Sequence, residues 1–139
     1  MDSPSPVAIL NELLVLEERG LPARVLESTV FVSQVSVEDS TMVSRMADAQ
    51  REHCAWLSEA IVDNGGVPGP RTANATSADL HFQDIHCLMP RLAADCEAIV
   101  AKYALAVDRL SALPEVAGLI SRIQARHRDE LVALSETSK

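Results

Sequence analysis

Twelve consecutive residues, Gly65 to Thr76, hold three glycines and two prolines and no apolar period, while the chain on both sides repeats apolar residues at helical spacing. A chain of 139 residues builds one core. The segment is therefore read as a connection inside one domain, residues 1–139, and not as a boundary between two. Twelve extended residues reach at most about 40 Å, and a twenty-residue helix is about 30 Å long. Such a connection can run the length of a helical bundle and start the next helix at the far end.

Four helical segments flank it. The first follows Ser5-Pro6, with proline in the first turn, where its missing N–H costs little. It carries Leu10, Leu14, Leu21 and Val25. Gly20-Leu21-Pro22 predicts a kink or short break, because Pro22 cannot bond back to Glu18. Val30 to Val37 has strand-like composition, but a lone strand has no partner in this chain. It is read as the end of the first helix plus a connection. The second helix starts near Glu38-Asp39-Ser40, a cap with negative charge at the positive end of the helix dipole. Its stripe is Val43, Met46, Ala47, Gln50, His53, Leu57, Ala60 and Ile61, and it stops at Asn64-Gly65-Gly66. The third opens at Ser77-Ala78-Asp79, carries Ile85, Leu88, Leu92, Ile99, Tyr103, Ala106 and Leu110, and is kinked at Pro90. Ser111-Ala112-Leu113 makes a short turn. Pro114 then starts the fourth helix, with Val116, Ile120, Ile123, His127, Leu131 and Leu134 on its stripe. Two short connections and one long one predict an all-α four-helix bundle of two antiparallel hairpins joined by a crossover. The alternative is a plain up-down-up-down bundle.

Composition narrows the function classes. Aromatics are 3%, so the sheet-face residues of an all-β domain are missing. The formal charge of −8 argues against a nucleic-acid partner, which needs a basic face, and against an anionic membrane surface. The longest run without a charged side chain, Ser28 to Val37, is ten residues, against the roughly 18 of a membrane-spanning helix. The N-terminus has neither the basic region nor the apolar run of a signal peptide. Cys54, Cys87 and Cys96 form no CxxC pair and read as small buried hydrophobes in a reducing cytoplasm. No phosphate-binding loop, Gly-x-Ser-x-Gly or HExxH motif is present, and no catalytic residue is assigned.

The informative residues are polar groups that stand where leucine would. Gln50 and His53 are three apart on the second helix, and Gln124 and His127 three apart on the fourth, so each pair shares a face. Glu17 lies between Leu14 and Leu21 on the first stripe. On the third helix, Glu97 falls on the side of Ala93, Val100 and Ala104, and Asp95 on the side of Leu92 and Ile99.

This pattern, with Arg51-Glu52-His53-Cys54-Ala55-Trp56-Leu57 and the exit Gly65-Gly66-Val67-Pro68, resembles the ferritin-like di-iron carboxylate proteins over roughly Val7 to Leu134. That family places one Glu on each of the first and third helices and a Glu-x-x-His pair on each of the others, all inward. Here Gln replaces Glu in both pairs. Gln offers one neutral carbonyl where Glu offers two anionic oxygens, so the resemblance implies a reduced site. Its ligands would be His53, His127, Glu17 (or Glu18) and Glu97 (or Asp95), enough for one Fe or Zn ion. The implied function is redox chemistry or metal handling. The alternative is a structural or interaction bundle that has lost the metal centre, with Gln50 and Gln124 hydrogen-bonding across the core. Apolar residues off the main stripes, such as Val62 and Val132, lead to the expectation of a homodimer.

Overall fold

A computed structural model of the chain describes residues 5–27, 37–69 and 84–137. Its elements are α1 (Pro6–Glu18), α2 (Leu21–Glu27), α3 (Val37–Asp63), α4 (Ile85–Arg109) and α5 (Pro114–Thr137). The fold is an all-α four-helix bundle whose first helix is interrupted, so that α1 and α2 together make one of its four arms. The interruption falls at Arg19 and Gly20, ahead of Pro22, as the Gly-Leu-Pro sequence predicts. The strand-like stretch ahead of Val37 lies outside the described residues.

Helix ends follow local chemistry. Ser5 caps α1 by accepting from the Ala8 N–H. At the end of α3, Gly65 adopts φ +82°, the left-handed conformation that glycine supplies without strain. Gly66 N–H then donates to the Ile61 carbonyl and Gly65 N–H to that of Val62, a Schellman closure. Among the described residues α4 begins at Ile85, where Asp84 is extended and its carboxylate accepts from the His86 N–H at 2.8 Å, capping the helix; the start expected at Ser77 lies outside the described residues. Pro90 is carried inside α4.

Cross-helix contacts set the topology. Asn11 bonds Val67 and Gly69, so the start of α1 lies against the exit of α3 and the two helices are antiparallel. Cys96 meets His127 and Val100 meets Gln124, which makes α4 and α5 antiparallel as well. His86 Nδ1 stands 2.6 Å from the carboxylate of Asp39, and both residues sit in first turns. Helices α3 and α4 therefore start at the same end. The exit of α3 and the start of α4 lie at opposite ends of the bundle, the arrangement a long crossover requires.

The core is divided. One apolar cluster holds Leu10, Leu14, Leu57, Ile61, Tyr103 and Ile120, and a second holds Leu21, Val25, Val43, Ile85, Leu92 and Leu134. Between them along every helix comes a buried polar layer: Glu17 on α1, Gln50 and His53 on α3, Gln124 and His127 on α5, with Cys96 at the junction on α4. Burying such groups costs free energy unless they are partnered, so their gathering into one layer marks the site.

Candidate metal centre

Glu17 is the hub of that layer. It is 1% exposed, and its Oε1 accepts hydrogen bonds from the Tyr103 hydroxyl and from His127 Nε2, each at 2.6 Å. His53 Nδ1 lies 3.4 Å from the same oxygen. The far nitrogen of His127, Nδ1, is 2.8 Å from Glu130 Oε1. Three elements thus aim one carboxylate and two imidazoles at a common point, and their donor atoms lie within 4.8 Å of one another.

Gln50 explains how α1 delivers Glu17. Its amide N–H groups donate to the carbonyls of Glu17 and Gly20, and its Oε1 accepts from the Ala23 N–H at 3.3 Å. The side chain thus satisfies backbone groups released where the first arm breaks. A Cβ at Gly20 would stand 2.7 Å from Gln50 Nε2, so glycine there permits the clamp. Gln124 likewise donates to the Val100 carbonyl at 3.2 Å. Both glutamines hydrogen-bond across the core, as the alternative reading expected of them.

His53 differs from the rest. It is fully buried, and neither ring nitrogen has a hydrogen-bond partner. Leaving a buried polar group unpaired costs about 1–3 kcal/mol. Its ring packs 5.0 Å from His127 and 5.6 Å from Trp56, centroid to centroid. Arg126 lies over Trp56 and pairs with Glu52 at 3.0 Å, closing the outer side of this stack.

The electrostatics follow from burial and pairing. Burial opposes the ionised form of Glu17, but its interactions with His127 and, at longer range, with His53 outweigh it and hold the pKa down at about 2. For His127, burial opposes the cation, while hydrogen bonds from its surroundings and the charge of Glu17 raise the pKa to about 11. Burial and the neighbouring Glu17 charge push the Tyr103 hydroxyl well above its ordinary value, so it stays a donor. Burial raises Asp95.

A depressed Glu17 gives stability present above its unfolded value of 4.5 and lost as pH falls toward about 2. A raised His127 gives stability complete below 6.5 and lost as pH rises toward about 11. Protein treated with a chelator is therefore expected to lose melting temperature steadily between pH 6.5 and 9. Scanning calorimetry checks this, and His127→Gln should flatten the alkaline slope.

The expected ligands separate into two groups. Glu17, His53 and His127 converge. Glu97 is exposed on α4 and does not reach the cluster, and Asp95 is half-buried with its carboxylate 3.5 Å from the Leu21 N–H. The inward residue at that level of α4 is Cys96. Cys96 is buried as expected, Cys54 is half-buried, and Cys87 is exposed, against the reading of all three as buried hydrophobes. Glu130 was missed, although its three-residue spacing from His127 predicts a shared face. No helix of the described residues is long and apolar enough to cross a membrane. Comparison with protein-family models, with curated proteins and with solved structures finds no match to this chain.

Proposed function

We propose that the protein is a divergent ferritin-like metalloprotein that holds one Fe²⁺ or Zn²⁺ ion through Glu17, His53 and His127 and serves redox chemistry or metal handling. The observation that carries this is His53, whose two buried nitrogens make no hydrogen bond and whose Nδ1 stands 3.4 Å from Glu17 Oε1. An imidazole left without a partner beside a carboxylate and a second imidazole is a ligand set, not an economical core. Two His and one carboxylate suit mononuclear Fe²⁺ and Zn²⁺ and leave coordination positions for water or substrate. Tetrahedral bonds of about 2.1 Å separate donors by roughly 3.4 Å, and Glu17 and His53 already stand 3.4 Å apart. The His127–Glu17 hydrogen bond must open to admit the ion, and His127 gives up its Nε2 proton.

The surroundings support the same reading. Glu130 accepts from the distal nitrogen of His127, the carboxylate–histidine arrangement that orients metal-bound imidazoles. Tyr103 donates to Glu17 and holds its carboxylate in place. Bound metal would supply Lewis acidity or a redox couple; the chain's own residues orient the ligands and seal them between two apolar clusters. The parallel start of α3 and α4, with its crossover, supports the ferritin-like assignment.

One observation favours a metal-free interaction bundle: Glu17 is already satisfied by Tyr103 and His127. That reading gives no account of His53. A melting experiment separates the two. Adding Zn²⁺, or Fe²⁺ without air, to chelator-stripped protein should raise the melting temperature by roughly 10 °C at a thousandfold excess over the dissociation constant, about 4 kcal/mol. An unchanged melting temperature with both ions would refute the metal site.

A further inference from the structure

The polar layer contains a second donor set, on the other side of His127. One donor atom from each of Cys96, His127 and Glu130 lies within 4.8 Å of the other two, and His127 Nδ1 stands 2.8 Å from Glu130 Oε1. Cys96 is 2% exposed, and its thiol donates to the His127 carbonyl at 3.1 Å. Beside this set is a cavity of about 10 Å³, walled in part by Glu17, Gln50, Asp95, Cys96, His127 and Glu130. That is about the space one water-sized body needs. A cavity lined by leucine and isoleucine stays dry; this one is faced by carboxylates from α1, α4 and α5 and by a thiol.

We propose that this cavity is a second cation pocket, taking Zn²⁺ or another borderline-soft dication on Cys96 Sγ, His127 Nδ1 and Glu130, with His127 bridging the two ions through its two nitrogens. Thiolate selects soft and borderline metals, and imidazole and carboxylate complete a zinc donor set. The cavity leaves room for water as a fourth ligand. Charge closes as well. With both ions present, Glu17, Glu130, the Cys96 thiolate and the His127 imidazolate carry four negative charges against four positive. Binding of both ions releases the thiol proton and both ring N–H protons of His127 to solvent, and nothing is oxidised or reduced. A neutral cluster is what a buried site tolerates. The pocket shares His127 with the proposed site but uses neither His53 nor Glu17 as a ligand, so either can fail alone.

Cobalt titration of the chelator-stripped full chain, reduced and without air, tests it, because thiolate bound to Co²⁺ gives a near-ultraviolet charge-transfer band. Wild type should take up two Co²⁺ per chain and show the band. Cys96→Ser should take up one and lack the band. His53→Leu should take up one and keep it, and Cys54→Ser and Cys87→Ser should keep it too. One Co²⁺ without a band in wild type, or a band that survives Cys96→Ser, overturns the second pocket and leaves the first site standing. One Co²⁺ with a band, unaltered in His53→Leu, supports the pocket and overturns the first site. No uptake by wild type overturns both. If Cys96→Ser does not fold, Glu130→Gln should weaken the band-bearing site about tenfold or more, and an unchanged affinity would count against it.

Discussion

Glu17→Ala lowers the melting temperature of the chelator-stripped protein by roughly 10 °C or more and abolishes the stabilisation that metal gives through the Glu17–His53–His127 site. The carboxylate is the shared acceptor for Tyr103 and His127, both buried with it. Removing one partner of a buried ion pair costs about 3–5 kcal/mol, because the remaining charge is left without compensation. A domain of this size loses about 3 °C per kcal/mol. His127 can shed its proton, which moderates the loss at neutral pH but not at pH 5. Melts at both pH values check this: the deficit should be larger at the lower one. Equal, small deficits would mean that Glu17 is not the hub of the layer.

His53→Leu has the opposite signature, and only a functional role for the histidine produces it. Leucine removes two buried nitrogens that make no hydrogen bond, with the loss only of the 3.4 Å contact between Nδ1 and Glu17. The stripped variant should therefore be more stable than wild type by about 1–2 kcal/mol, or a melting temperature higher by several degrees. With excess Zn²⁺ the order should reverse, because wild type alone gains the binding energy of the three-residue site. A variant less stable in both states would show that His53 is an ordinary packing residue. Proteins retain locally destabilising groups at sites where function requires them, and this reversal measures that trade directly.

Much of this was legible in the residues. Apolar periods located the four arms, and every residue named on the stripe of α3 is buried, from Val43 to Ile61. The long glycine- and proline-containing segment implied the crossover, and the Asp39–His86 contact places the helix starts as that crossover demands. Glu17, His53 and His127 could be identified because a polar residue on an apolar stripe must face the core. Glu97 could not be judged that way. The third stripe is wide and rich in alanine, so residues 95 to 97 each fall near some apolar neighbour, and a one-residue error turns a side chain by 100°. The structure turns Cys96 inward there. Likewise the helix start near Ser77 offered good capping chemistry, but Asp84 caps the helix that is described. The orphaned nitrogens of His53 had no sequence signal, since partnership in a core depends on three other helices.

Elemental analysis of protein purified without a metal-chelating tag, then reconstituted with Fe²⁺ or Zn²⁺ and dialysed, tests the central claim most directly. At least one tightly held ion per chain is expected, with one ion fewer in His53→Leu. No retained metal in wild type, or retention that His53→Leu leaves unchanged, would contradict a site built on Glu17, His53 and His127.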